Sequence, residues 1–225
     1  ENTKEMKATL DLVVEKIIID ELQLTGLSIL SEEKGWIVGD LLDSRRWIID
    51  PIDGTFNYIK SLGPCAVSIG LWDEGTPIFG VIFCLNTENL YWGGKEFGAF
   101  CNEDAISVSD VSDISVSSIC TGFPVRLDMA LQETADEFWY SISKFSKVRM
   151  IGSASMSLVN VAKGSSEVYF ENQIMIWDVA AGLAIVEGAG GVISIRLGSF
   201  DNALKVLASN KWLSNEAGSI WKYPY

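Results

Sequence analysis

Apolar residues recur at three- and four-residue spacing through Met6, Leu10, Val13, Val14, Ile17, Ile18 and Leu22, the stripe of an amphipathic helix. Asp11 and Glu15 fall one turn apart on one face of it. Like charges at that spacing weaken a helix slightly, and by themselves the two acids read as a solvated face. Leu27 to Leu30 reads as a short strand running into Ser31-Glu32-Glu33. After a loop, the apolar run Trp47-Ile48-Ile49 predicts a second strand. From Ala66 to Val108 the segments AVSIGLW, PIFGVIFCL, NLYWGG and FGAFCN carry a β pattern, separated by turns rich in Gly and Asn. Ser115–Thr121 predicts another strand, 127–145 a helix, Ser153–Val161 a helix of small residues and Ser166–Phe170 a strand. A helix over Asp178–Glu187 ends at Gly188-Ala189-Gly190-Gly191, and Val192–Ile195 and Val206–Ser209 are strands. Helices and strands mix without strict βαβ alternation, which predicts α+β layers. No repeat or linker divides the chain, so residues 1–225 read as a single domain.

A chain of 225 residues that is 48% hydrophobic can bury a substantial core. No apolar run reaches the length of a membrane span, and no signal-peptide pattern is visible. Four cysteines without a CxxC read as reduced thiols of a cytoplasmic protein. A net charge of −13 argues against a nucleic-acid partner, which needs Lys and Arg in excess. The absence of histidine removes Ser-His-Asp triads, phosphohistidine chemistry and the usual His-ligated zinc sites.

The most informative stretch is Trp47-Ile48-Ile49-Asp50-Pro51-Ile52-Asp53-Gly54-Thr55. Asp50 and Asp53 are too close to lie unpaired in an apolar setting without a cation. Pro51 stiffens the turn and biases Asp50 toward an extended conformation. A rigid pair of hard oxygen ligands suits Mg2+, which also binds substrate phosphate. Gly54 and Thr55 can open a helix whose free amides face a phosphate.

Two motifs carry a family resemblance. The stretch WIIDPIDGT is similar to the first signature of the inositol monophosphatase-like Mg2+-dependent phosphatases. Ile176-Trp177-Asp178-Val179-Ala180-Ala181-Gly182, followed by Glu187-Gly-Ala-Gly-Gly191, resembles the second. The likeness runs from about Thr9 to Asn210. It implies a layered α-β-α-β-α sandwich, a Mg2+ cofactor and a phosphomonoesterase that works through metal-activated water. It also implies a homodimer and sensitivity to lithium. The family includes bisphosphate nucleotidases, fructose-bisphosphatases and histidinol-phosphate phosphatases, so membership alone does not name a substrate.

The resemblance also assigns roles. Glu32, Asp50 and the backbone oxygen of Ile52 would hold one metal. Asp50, Asp53 and Asp178 would hold a second, and Glu33 would orient ligands. Asp11 would orient Thr55, whose hydroxyl positions the nucleophilic water. Gly54, Gly152-Ser153-Ala154 and Glu171 would face the substrate, together with Asp53, Thr55 and Asp178. Taken alone, Asp178 could be a helix N-cap, Glu32-Glu33 an exposed loop and Glu171 a charged strand end. Gly54-Thr55-Phe56-Asn57-Tyr58 looks like the version found in inositol- and sugar-phosphate phosphatases, where the nucleotidase branch tends to carry Lys-Glu-Phe. Against the family pattern, its first helix is mostly missing upstream of Glu1, and Ile195 to Asn202 is unusually tight. Segments are therefore expected to be missing at both places.

Two readings of other classes compete. Cys120-Thr-Gly-Phe-Pro-Val-Arg126 fits C-x5-R, the loop in which a thiolate attacks phosphorus. Pro124 removes an amide donor from that loop, Leu127 offers no hydroxyl, and Ile119 stands where His is expected. A non-catalytic scaffold is the other alternative. The intact set Asp11, Glu32, Asp50, Asp53, Thr55 and Asp178 argues against it.

Overall fold

A computed structural model of the chain describes residues 3–123 and 130–219. The first half holds α1 (Thr3–Leu22), a 3-10 turn, β1 (Ser28–Ser31), β2 (Gly35–Ile37), β3 (Arg45–Asp53) and α2 (Thr55–Lys60). Then come β4 (Ala66–Asp73), β5 (Thr76–Cys84), β6 (Leu90–Gly94), β7 (Gly98–Cys101) and β8 (Asp104–Ala105). The second half holds β9 (Ser118–Cys120), α3 (Gln132–Ile142), β10 (Lys147–Arg149), α4 (Ala154–Ala162) and β11 (Val168–Met175). It ends with α5 (Ile176–Gly188), β12 (Val192–Leu197), β13 (Ala203–Ser209) and α6 (Ser214–Gly218).

The strands form two sheets. One has eight strands in the order β2-β1-β3-β4-β5-β6-β7-β8, and the other has five in the order β10-β9-β11-β13-β12. Successive side chains of β3 explain why its apolar run does not alternate with polar residues. Ile49 packs outward with Ile29 of β1 and Ile19 of α1. Ile48 packs inward, into the core built around α4 and α5. A strand buried on both faces needs apolar residues on both. The five-stranded sheet repeats the pattern. Ile119, Val168, Phe170 and Leu207 meet Ile142, Leu213 and Ala217 on its outer side, while Cys120, Tyr169, Val206 and Ala208 join the inner core. The layers are therefore α1, sheet, α4 with α5, sheet, α3 with α6, which is the α+β sandwich expected.

The central helix α5 is apolar all round, with Val179 to Val186 buried. It lies directly on the large sheet. A Cβ at Gly80 would come within 2.1 Å of the Ala181 carbonyl oxygen, so no larger residue fits at that crossing. The indole of Trp72, 2% exposed, donates to the Ala180 carbonyl at 3.0 Å and so buries its polar atom without penalty.

Several expectations change. The face of α1 that carries Asp11 and Glu15 is not solvated: the two residues are 3% and 0% exposed. Residues 115–117 do not extend β9: the Asp113 carboxylate accepts from Ser115 N at 2.8 Å and caps a 3-10 helix over Ile114–Val116, which Ser117 ends. Helix α5 begins at Ile176, so Asp178 lies inside its first turn and is not its N-cap. The strand expected at 166–170 runs on to Met175 past a bulge between Glu171 and Ile174, with Gln173 at φ +60°. Within the interval 195–202, residues 195–197 belong to β12 and 198–202 form the hairpin turn to β13, closed by Gly198 N to Ala203 O at 2.8 Å. Of the segment read as the helix 127–145, residues 127–129 lie outside the described residues, as does Arg126; the helix itself is α3.

Candidate active site

The site starts where β3 stops being regular. Its pairing with β4 holds to Asp50 opposite Ser68 and resumes at Asp53 opposite Ala66, so one extra residue bulges out. Pro51 sits in that bulge, where a missing N–H costs no ladder bond. Ile52 N donates to Asp50 Oδ1 at 2.9 Å, which fixes the first carboxylate. Gly54 follows at φ +81°, with Gly152 O and Pro64 O each 3.1 Å from where a Cβ would stand. Only glycine fits this turn into α2. The Thr55 hydroxyl, at the start of α2, donates to the Ile52 carbonyl at 2.9 Å.

Asp53 is held by the start of α4. Its Oδ2 accepts from Ser153 Oγ at 2.6 Å and from Ser155 N at 2.7 Å, and its Oδ1 accepts from Ala154 N at 3.3 Å. The amides expected to face a phosphate at Gly152-Ser153-Ala154 are thus partly engaged by a carboxylate. Ser153 also caps α4, accepting from Met156 N at 3.2 Å. Asn57 joins the neighbouring loops by donating to Ile151 O at 2.6 Å and Pro64 O at 3.0 Å.

The third acid comes from α5. Ser155 Oγ donates to the Asp178 carbonyl at 3.1 Å and so ties the first turns of α4 and α5 together. Asp50, Asp53 and Asp178 each bring a carboxylate oxygen to within 4.8 Å of the others. Asp50 is 1% exposed and Asp53 is 7% exposed. Burial pushes the Asp50 carboxyl well above the ordinary carboxylate range, and the charges of Asp53, Glu32 and Asp178 push it further in the same direction. Burial raises Asp53 as well, and its hydrogen bonds to Ser153, Ser155 and Ala154 counter part of that. Acids at this spacing cannot all ionise without a cation. The donors are hard oxygens with no thiolate or imidazole among them, the chemistry that suits Mg2+ or Mn2+ rather than Zn2+. These residues therefore fit the implied metal.

Glu32 lies in the exposed turn between β1 and β2, anchored by its own N–H to Ile49 O at 3.2 Å; Glu33 is exposed beside it. Asp11 is buried on α1, which packs against β3 and touches α2.

A cavity of about 170 Å³ opens over the acids. Its lining includes the expected Asp53, Gly152, Ser153, Ala154, Glu171 and Asp178. Asp11, Glu32, Asp50, Ile52, Gly54 and Thr55 do not line it. Asp50 and Ile52 are buried in the turn, and the other four lie on α1, the β1–β2 turn and the start of α2. Thr121, Gly122, Ser157 and Ile174 complete the wall and were not singled out in the sequence. Glu171 accepts from Tyr169 Oη at 2.8 Å. A Cβ at Gly122 would lie 2.2 Å from Glu171 Oε1, so the glycine makes room for that carboxylate. The Thr121 hydroxyl donates to Phe170 O at 2.6 Å, which ties this wall to β11.

The stretch that could have been a thiolate loop contributes Thr121 and Gly122 to the wall instead. Cys120 itself is 1% exposed, and burial pushes its thiol above the ordinary range. Attack by a thiolate needs the opposite shift. Arg126 lies outside the described residues.

The fold is a five-layer sandwich, and the acidic cluster at the end of β3 is one that could hold a metal ion. The chain belongs to the inositol monophosphatase family, whose model matches residues 1–223. It is similar to an inositol-1-monophosphatase of Synechocystis, 36% identical over 74% of this chain and 58% of that protein. It is also similar to a fructose-1,6-bisphosphatase/inositol-1-monophosphatase of Aquifex aeolicus, 34% identical over 75% of this chain and 63% of that protein. The matched part thus spans less than two thirds of these relatives' length. The crystal structure of the extragenic suppressor protein suhB of Bartonella henselae superposes with a TM-score of 0.83, at 30% identity, over 96% of this chain and 84% of that one. No helix among the described residues is long and apolar enough to cross a membrane.

Proposed function

We propose that this chain is a Mg2+-dependent phosphomonoesterase acting on a small polyol or sugar monophosphate such as an inositol monophosphate. The observation that carries this reading is the composition of the cavity. Asp53 and Asp178 stand at one side, the Glu171 carboxylate and the Thr121 and Ser157 hydroxyls line the rest, and no described lining residue is cationic. Carboxylate and hydroxyls suit the hydroxyl groups of a polyol. A second phosphate would meet Glu171 and be repelled, which disfavours a fructose bisphosphate or an adenosine bisphosphate.

In this reading Glu32, Asp50 and the Ile52 carbonyl would hold one Mg2+, and Asp50, Asp53 and Asp178 would hold another. Bound Mg2+ neutralises phosphoryl charge and polarises the ester. Thr55 would orient the attacking water and accept its proton as the Thr55 hydrogen passes from the Ile52 carbonyl to the Asp11 carboxylate. Glu171 holds a substrate hydroxyl, and solvent protonates the departing alkoxide. A homodimer and inhibition by Li+ join this reading through the resemblance alone, and a cytoplasmic location through the free cysteines.

The test is phosphate release with Mg2+ from inositol 1-phosphate, histidinol phosphate, fructose 1,6-bisphosphate and adenosine 3′,5′-bisphosphate. The polyol monophosphate should give the highest kcat/KM. A bisphosphate turned over faster would overturn the substrate class. No release from any of them would leave the scaffold reading standing.

A further inference from the structure

Glu15 is the most deeply buried acid of α1, at 0% exposure, and the resemblance gives it no role. Its Oε1 accepts from the Ser31 hydroxyl and from Lys34 N, the latter at 3.0 Å. Ser31 is the last residue of β1, and Lys34 directly precedes β2. One carboxylate oxygen therefore grips both limbs of the turn that carries Glu32. The two strands close at Ser31 opposite Gly35, one pair below that turn. Glu32 is exposed, so no surrounding core fixes its side chain. Turn tips of this kind are otherwise the least ordered parts of a chain. Yet Glu32 N donates to Ile49 O at 3.2 Å, which sets the residue next to the buried Asp50, and its charge acts on the Asp50 carboxyl. Glu15 Oε2 has no hydrogen-bond partner among the described residues, so the side chain's polar contacts are those to the turn. Burying an acid is costly, and a helix-to-strand tie alone could be made by a neutral side chain.

We propose that Glu15 is a positioning residue: its carboxylate clamps the β1–β2 turn and so holds Glu32 against Asp50, which sets the affinity of the metal site those two acids share. This rests on the reading of Glu32 as a metal ligand.

The test is a titration of the folded, chelator-stripped chain with Mn2+, following free Mn2+ by EPR. The variants are Glu15→Ala, Glu15→Gln, Ser31→Ala, Glu32→Gln and, as a control on the exposed side of α1, Lys16→Ala. Glu15→Ala should weaken one class of site by roughly 10–100-fold, the usual loss when a partner that orients a ligand is removed, and leave the other unchanged. Glu15→Gln keeps an acceptor oxygen and should restore most of the affinity. Ser31→Ala should lie between, and it carries the test if Glu15→Ala fails to fold. Wild-type Mn2+ binding in folded Glu15→Ala, or in Ser31→Ala in its place, would overturn the proposal and leave Glu15 a structural tie. If Glu32→Gln binds Mn2+ as wild type does, Glu32 is no ligand, and that part of the functional reading falls together with the inference. A loss in Glu32→Gln with none in Glu15→Ala sinks the inference alone.

Discussion

Two groups of buried acids in this molecule are treated in opposite ways. On the outer side of the five-stranded sheet, Glu137 of α3 meets Lys205 of β13 at 2.6 Å, with the two side chains 6% and 7% exposed. The Lys205 ammonium also lies over the Phe170 ring, 5.6 Å from its centroid. The chain supplies its own counter-charge there. At the end of β3, the charges that push the Asp50 carboxyl up are those of Asp53, Glu32 and Asp178, all carboxylates. Burial of an ion is tolerated where a partner compensates it and is costly where none does. The first is compensated within the chain, and the second is the cluster to which the proposed function assigns a cation.

Asp50→Asn should break this contrast most severely. Asn resembles the protonated acid and keeps the acceptor for Ile52 N. Thermal stability in chelator should therefore hold or rise. Divalent-ion affinity, measured by calorimetry, should fall by more than the roughly 10–100-fold typical of losing an orienting partner. A large stability loss in chelator would mean that the acid is structural after all.

Lys205→Met should do the reverse. It removes the ammonium that meets Glu137, and the loss of one partner of a buried pair costs about 3–5 kcal/mol. Denaturant unfolding should show that loss, with turnover per folded molecule near wild type. Stability near wild type would place the pair among those of little consequence.

A smaller effect sharpens the contrast through pH. The folded Asp50 and Asp53 carboxyls titrate above the ordinary value of 3.8. In the metal-free protein their contribution is present below that value and is lost as pH rises through the raised folded values. Cation binding must displace those protons. The rise in Tm on adding Mg2+ should therefore grow from pH 5 toward pH 8. A rise that shrinks over that range would contradict the assignment of the shifts.

The smallest effect is expected at Cys120. Its buried thiol takes no part in the site, so Cys120→Ser should leave kcat within a few-fold. Abolished activity in a folded variant would restore the thiolate mechanism.

Most strands and helices and the Asp50–Asp53 pair were legible in the sequence because periodicity and short spacings are local properties, whereas the five-layer order and the place of Asp178 beside them came from the family resemblance. What was hidden depends on contacts between distant residues. Glu15 read as solvated because a helical face shows its neighbours along the helix, not the β1–β2 turn that covers it. Thr121 and Gly122 were passed over because their use depends on Glu171, brought beside them by β11. Asp178 read as a possible cap because the two apolar residues before it give no sign that the helix has begun. The engagement of Ser153, Ala154 and Ser155 by Asp53 links residues about a hundred positions apart.

The central claim is that the acids at the end of β3 serve a divalent cation in phosphate-ester hydrolysis. Its most direct test is phosphate release from inositol 1-phosphate by the purified chain, first in EDTA and then after Mg2+ is restored in excess. Release should fall to background in chelator and return with Mg2+. Undiminished turnover in EDTA would contradict the account.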